Sequence, residues 1–321
     1  MEKSKRQLLT EVARAYYIEN RTQSEIADSV GISRSQVSRY LSEAREAGIV
    51  QIRIVSSDES GTSLGETLLE RYPHLRKVIA APIFDTSPDV VRRTIGRYAA
   101  NYMEDMIRSD QRLTLGCGRT LREMVKAMPV KEMPGLEVVQ AMGNIGHEAH
   151  EIDYNEITRE AADKMGGRAY YVSAPAILGR GSEPANSLLD TNPMLKQALE
   201  MARSARIFVV GLGSLESDLV YSRAGLIGED ELSDLSGEAV GDICGRFFDI
   251  NGNEKPSAFY DRIVGIELKD IQKGDLSIGV AGGADKAAPI LGAIRGKLIN
   301  VLITDEQTLH SILTLDDAYR G

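Results

Sequence analysis

Apolar residues in the first fifty positions recur at intervals of three and four. Leu8, Leu9, Val12, Ala15, Tyr16 and Ile18 define one face of a helix within the first 20 residues, and Asn20-Arg21 breaks it. Thr22-Gln-Ser-Glu25 has the form of a capping box, in which a hydroxyl and a carboxylate satisfy two of the backbone N–H groups that a helix start leaves open. A second helix is therefore predicted from Thr22, with Ile26, Ala27 and Val30 turned inward. Gly31 ends it, because glycine reaches the left-handed conformation without a Cβ clash. A second box, Ser33-Arg-Ser-Gln36, opens a third helix with Val37, Leu41 and Ala44 inside and Gly48 as its stop. A support helix, then a helix, a short turn and a helix, is the arrangement of a helix-turn-helix. Ile49 to Val55 alternates in places and reads as one or two short strands, from which Arg53 can reach a phosphate.

The pattern then changes. Residues 56–63 are polar and free of apolar side chains, which marks a linker between a domain at 1–55 and another at 64–321. Leu64 to Tyr72 reads as a short helix. Beyond it, strands are predicted at 78–83, 113–115, 136–142, 169–173, 206–210, 276–280 and 298–304. Helices are predicted over 90–107, from Thr120 to Met128, around 156–165 and 194–202, and through Ile294. Such alternation predicts an α/β fold with a mostly parallel sheet. No internal repeat is evident.

Composition refines this picture by region. The chain has 321 residues and a net charge of −9, which as an average speaks against nonspecific coating of nucleic acid. Residues 1–54, however, hold nine Lys/Arg and seven Asp/Glu, a balance of +2, and the remainder holds 29 and 40, a balance of −11. The small head thus differs in sign from the larger body. The third helix gathers Arg34, Ser35, Gln36, Ser38 and Arg39 near its start, side chains suited to base edges and phosphates. With Gln23 on the preceding helix, they form the candidate DNA-contact set. No apolar run approaches the ~20 residues of a membrane span. The first residues lack the apolar core of a secretory signal, and two cysteines fit a reduced cytoplasm.

In open α/β sheets, ligands sit beyond the carboxyl ends of the strands. Glycine turns follow predicted strands at Gly116–Gly118, Gly143, Gly211–Gly213 and Gly282–Gly283. Any one of them can be only a tight turn; several on one sheet edge point to a ligand cleft. Gly116-Cys-Gly-Arg-Thr120 offers a close-approach backbone, one cation (Arg119) and one hydroxyl (Thr120), which suits phosphate. A third glycine, needed at 121 for a dinucleotide fingerprint, is Leu, and no Walker A sequence occurs, so no nucleotide cofactor is expected. Lys286, after Gly282-Gly283 at a predicted helix start, can pair with phosphate or carboxylate. Asp242 and Asp249 lie in a loop-like, glycine-bounded stretch, either as acceptors for sugar hydroxyls or as turn-forming surface carboxylates. His147-Glu-Ala-His150 has a two-His helical spacing, but zinc needs three or four ligands and no metal is expected. Neither Cys117 nor Cys244 has an adjacent His base, which leaves no cysteine nucleophile.

These features resemble the SorC family of bacterial transcription regulators. The likeness spans nearly the whole chain. It rests on Val280-Ala-Gly-Gly-Ala-Asp-Lys286 through Ala293–Glu306, on Gly116-x-Gly-x-Thr120, and on Gly241-Asp-Ile-x-Gly-Arg-Phe-Phe-Asp249. In the head it rests on Gln23-x-x-Ile-Ala and Ser35-x-Val-Ser-Arg-Tyr-Leu41. The resemblance implies a helix-turn-helix followed by a Rossmann-like effector domain related to sugar-phosphate isomerases. It also implies a phosphorylated sugar or related metabolite as effector and a homotetramer built as a dimer of dimers. By motif, Gly116, Gly118, Arg119, Thr120 and Lys286 would face the phosphate, Asp242 the hydroxyls, and Asn144 is a further carry-over. The expected protein is a non-enzymatic, cytoplasmic regulator of a carbohydrate operon, binding a pseudo-palindromic operator under control of a sugar phosphate or polyol. The competing expectation is a sugar-phosphate isomerase with an appended helical domain, using Asp242, Asp249 or Lys286 as acid or base.

Overall fold

A computed structural model describes residues 2–50, 59–145, 153–215, 220–233, 235 and 237–320. It divides into two compact units, Met1–Ser57 and Asp58–Gly321.

The first unit contains α1 (Glu2–Tyr17), α2 (Gln23–Val30) and α3 (Arg34–Glu46). Both capping boxes form. Thr22 Oγ1 accepts the Glu25 N–H at 3.3 Å while Glu25 accepts the Thr22 N–H at 2.8 Å. Ser33 and Gln36 repeat the exchange at 3.2 and 2.9 Å. Gly31 closes α2 at φ 73°. The three helices share one core: Leu9, Val12 and Ala13 from α1, Ile26 and Ala27 from α2, and Val37, Leu41 and Ala44 from α3. Val30, expected inside, is 36% exposed at the end of α2 and takes no part in this core. The strands read over 49–55 fall largely on 51–58, outside the described residues, as does Arg53. Ser33→Ala removes a cap worth about 1 kcal/mol, so faster hydrogen exchange confined to the start of α3 is expected.

The second unit opens with α4 (Glu59–Arg71), which starts five residues before Leu64, so the polar stretch at 56–63 is in part the first turn of this helix. There follow β1 (Lys77–Ala81), α5 (Pro88–Met106), β2 (Arg112–Leu115), α6 (Arg119–Ala127), β3 (Glu137–Gln140), α7 (Tyr154–Lys164) and β4 (Arg168–Tyr170). Next come α8 (Ala185–Thr191), α9 (Pro193–Arg203), β5 (Ile207–Val210), β6 (Gly213–Ser214), α10 (Val220–Arg223) and α11 (Glu229–Ser233). The chain continues through β7 (Gly241–Ile243), β8 (Arg246–Phe248), β9 (Glu254–Lys255), α12 (Leu268–Gln272) and β10 (Leu276–Val280). It finishes with α13 (Ala287–Arg295), β11 (Val301–Asp305) and α14 (Glu306–Arg320).

Seven strands form one parallel sheet in the order β1-β11-β10-β5-β2-β3-β4. From β2 the chain moves outward through β3 to β4. From β5 it moves the other way through β10 to β11. Adjacent β2 and β5 therefore flank the point where the winding reverses, the place where such sheets leave a crevice at their carboxyl ends. The central strands β5, β10 and β11 are buried along their whole length, as a doubly covered sheet requires. Residues of α5, α6 and α7 pack on one face, and residues of α4, α12, α13 and α14 pack on the other. Four short antiparallel strands, in the order β6-β7-β8-β9, form a second sheet. Gly241–Asp249 is thus a β-hairpin running into a turn, not the loop its glycines suggested. Among the described residues no helix is long and apolar enough to cross a membrane.

Candidate functional site

In the first unit, α3 buries Val37, Leu41 and Ala44 and presents Arg34, Ser35, Ser38 and Arg39 on the opposite, exposed side. Arg39 keeps a 3.6 Å contact to Glu43, itself 2.9 Å from Lys5. At such exposure an ion pair contributes little and holds the guanidinium only loosely. Gln36 differs from the rest. Its Oε1 is turned back to accept the Ser33 N–H and hydroxyl at 2.9 and 3.0 Å, so its carbonyl is engaged in capping. Gln23 is half-buried at the first turn of α2.

In the second unit, all seven strands of the large sheet point the same way, which brings the glycine turns to one edge. Gly116–Thr120 follows β2, Asn144 lies beyond β3, Gly211–Gly213 follows β5, and Ala281–Lys286 follows β10. Gly118 is the N-cap of α6 at φ 154°, with no side chain capping the helix start. The backbone N–H groups there carry the positive end of the helix dipole. Thr120 is half-buried in that first turn. Arg92, and after it Arg93 and Arg119, lower the Asp89 carboxyl at the start of α5. Arg119 thus lines the groove between α5 and α6 with Arg92, Arg93 and Arg122. Asn144 is pinned by its backbone, donating to Ala174 O at 2.8 Å and accepting from Ala176 N at 2.7 Å.

Asp242 occupies the centre of this edge. Its strand pairs with β6, Asp242 opposite Gly213, so the residue stands directly beyond the end of β5. It is 4% exposed and accepts the Gly245 N–H at 2.9 Å and the Tyr221 hydroxyl at 3.4 Å. Burial pushes its carboxyl up; the Gly245 N–H, the Lys286 ammonium and Tyr221 pull the other way. Lys286 contacts Asp285 at 3.0 Å. Asp249, by contrast, accepts the Asn251 and Asn253 N–H groups, both at 2.9 Å, and closes the turn before β9. Asp249 therefore forms a turn, whereas Asp242 is a buried carboxylate.

Several contributors escape local sequence reading. The Tyr154 hydroxyl donates to Leu115 O at 2.5 Å and accepts the Ala141 N–H at 2.9 Å, tying the carboxyl ends of β2 and β3 together. Tyr221 reaches Asp242 from α10. Asp305, 3% exposed, accepts the Gly283 N–H at 3.1 Å and the Thr308 hydroxyl at 2.6 Å. A Cβ on Gly282 would stand 2.3 Å from that same carboxylate and from Ile95, so the loop requires glycine there. The signal was present, since Asp305 lies within the stretch Ala293–Glu306. Cys117 is near enough to Cys244 to act on it electrostatically. Burial pushes the Cys117 thiol up to about 12, and Cys244 is raised for the same reason. Thiols held protonated are poor nucleophiles. His147 and His150 lie outside the described residues.

The edge therefore combines an uncapped helix start, one ammonium, and a buried carboxylate able to accept hydroxyl protons. Sequence comparison is in keeping with this chemistry. Residues 57–314 match the family described as "Putative sugar-binding domain", and residues 9–47 match sigma-70, region 4. The chain is 34% identical to the deoxyribonucleoside regulator of Bacillus subtilis (strain 168), over 98% of this chain and 99% of that one. It is 29% identical to the transcriptional regulator LsrR of Enterobacter sp. (strain 638), over 96% and 93%. Among solved structures, the full-length sorbitol operon regulator SorC from Klebsiella pneumoniae superposes with a TM-score of 0.76 at 26% identity. That match covers 96% of this chain and 98% of the other.

Proposed function

The chain belongs to the SorC family of transcription regulators with a sugar-binding domain, and from that premise we propose that a phosphorylated sugar or polyol controls its binding to operator DNA. Relatives that regulate transcription, rather than enzymes, carry the same domains along nearly their full length, which sets aside the isomerase reading. The observation that carries the proposal is the convergence of the turns after β2, β5 and β10 with buried Asp242 and with Lys286 at one edge of the sheet.

In this reading Gly116, Gly118, Thr120 and Lys286 hold the phosphate, with Arg119 on the groove side and Asn144 beyond β3. Asp242 accepts the hydroxyls. Gln23, Arg34, Ser35, Gln36, Ser38 and Arg39 contact DNA, with Gln36 acting mainly by fixing the helix start. A DNA-binding domain over 1–55, an effector domain that opens with α4, a homotetramer, a pseudo-palindromic operator and a cytoplasmic location complete the proposal. Control requires the sugar phosphate to bind one DNA-affinity state better than another, since equal affinity shifts nothing.

Thermal-shift screening of pentose and hexose phosphates beside their unphosphorylated counterparts tests the ligand class. Only phosphorylated compounds should stabilise the chain. Lys286→Met, which keeps the length and removes the charge, should weaken the best of them about tenfold or more, as loss of a hydrogen bond to a charged group does. Stabilisation by the unphosphorylated sugars to the same extent would refute phosphate recognition.

A further inference from the structure

One helix touches both the crevice and the first element of the second unit. The first turn of α14 grips the loop after β10: Thr308 Oγ1 accepts the Gly283 N–H at 2.8 Å, and Thr308 N–H and hydroxyl both bond Asp305. Eight residues on, about 12 Å along the axis, the same helix presents Asp316, which is wholly buried. Asp316 accepts the Tyr72 hydroxyl at 2.5 Å and Arg295 at 2.9 Å on one oxygen, and Arg71 at 3.1 Å and Arg320 at 2.8 Å on the other. Four donors fill the acceptor positions of a carboxylate.

These donors come from three elements. Arg71 ends α4 and Tyr72 follows it. Arg295 ends α13, the helix that starts directly after Lys286. Arg320 ends α14 itself. The loop that carries Lys286 is thus linked to α4 twice, along α13 to Arg295 and along α14 to Asp316, and both links meet at one carboxylate. In sequence, α4 follows the residues that join the second unit to the helix-turn-helix.

We propose that α14 couples the Gly282–Lys286 loop to α4, with Thr308 as its contact to the loop and Asp316 as its contact to α4. A buried carboxylate held by guanidinium groups from separate helices cannot shift without disturbing all of them, since an unmatched charge there costs far more than an exposed pair contributes. Displacement of the loop is therefore passed to α4 instead of being absorbed locally. The inference gives a route for the control set out under the proposed function, and in that sense rests on it. The mechanical coupling itself is testable without any ligand.

Hydrogen exchange of the full chain is the measurement, with Thr308→Val as the perturbation at the loop. This change keeps the side-chain shape and removes the hydroxyl. Exchange should rise in residues 281–286 and also in residues 64–71 of α4, by about fivefold, the factor equivalent to about 1 kcal/mol for one hydrogen bond. Amides of β3 and α7, on the far side of the sheet, should not change. In a Tyr72→Phe background, which loosens Asp316 while keeping the ring, the effect of Thr308→Val on α4 should shrink while its effect on the loop persists. Three results would overturn the proposal: a response confined to the loop, an equal rise across β3 and α7, or unchanged transmission with Tyr72→Phe. If no sugar phosphate binds the wild-type chain, the proposed function fails while this exchange pattern still decides the coupling.

Discussion

Arg39→Ala is expected to reduce operator affinity about ten- to a hundredfold, the loss of a base-edge contact of ~1–3 kcal/mol. The side chain is 62% exposed on the outer face of α3, and its contact to Glu43 is 3.6 Å long. Neither restraint is strong enough to keep it from DNA. Removing it leaves the packing face of Val37, Leu41 and Ala44 intact, so helix content and melting temperature should be unaltered. Titration against promoter DNA at several salt concentrations separates the two roles open to an arginine. Loss of a phosphate contact lowers the salt slope by about one unit, whereas loss of a base contact leaves it nearly unchanged. Unaltered affinity at every salt concentration would remove Arg39 from the interface.

Gly213→Ala is expected to abolish sugar-phosphate binding while leaving DNA binding by the head in place. A Cβ there would stand 1.8 Å from Asp242 Oδ1 and 2.9 Å from its Cγ. Asp242 is buried in a paired strand and cannot swing into solvent, so the hairpin must move. Overpacking of this kind costs about 1–3 kcal/mol of stability, and the same displacement removes the acceptor intended for hydroxyls. Calorimetric titration with the best compound of the thermal-shift panel provides the check. Wild-type affinity in the alanine variant would show that Asp242 does not touch the ligand.

Asp242 also yields a prediction about pH. Burial raises its carboxyl above the ordinary range despite Gly245, Lys286 and Tyr221. A group raised in the folded state favours folding while protonated and loses that contribution as pH rises through its folded value. Above the ordinary carboxylate range this group therefore weighs against the folded state, and Asp242→Asn should melt higher than wild type at neutral pH. The gap should narrow as pH falls and the Asp242 carboxyl takes up its proton in both the folded and the unfolded chain. A gap that does not vary with pH would contradict burial as the cause.

Much of this was readable from local pattern. The two capping boxes carry their partners three residues apart, so Thr22–Glu25 and Ser33–Gln36 announce both helix starts without tertiary information. Parallel strands buried on both faces read as short apolar runs between glycine turns, which places Gly116, Gly211 and Gly282 at one edge. The β7–β8 hairpin was hidden because its strands are three residues long and its turn, Cys244-Gly245, departs from the common Asn-Gly form; Cys244 adopts φ 52°. Asp316 was hidden for a different reason. Its partners Arg71 and Arg295 lie 245 and 21 residues away, and charges at the ends of separate helices leave no periodic trace. The division of net charge, by contrast, needed only counting, and it turned an acidic average into a basic head on an acidic body.

The pairing of β1 with β11 has a consequence for biosynthesis. Lys77–Ala81 finds its sheet partner in Val301–Asp305, whereas the core contacts among the described residues of the first unit lie within its first fifty residues. Non-local parallel pairing is slow, and local helical contacts form quickly. At about 5–20 residues per second on the ribosome, the helix-turn-helix is complete roughly 250 residues before β11 is made. The edge of the sheet that carries Asp305 and the Gly283 contact closes last. For some tens of seconds in each round of synthesis, a nascent chain displays a finished helix-turn-helix without a folded second unit.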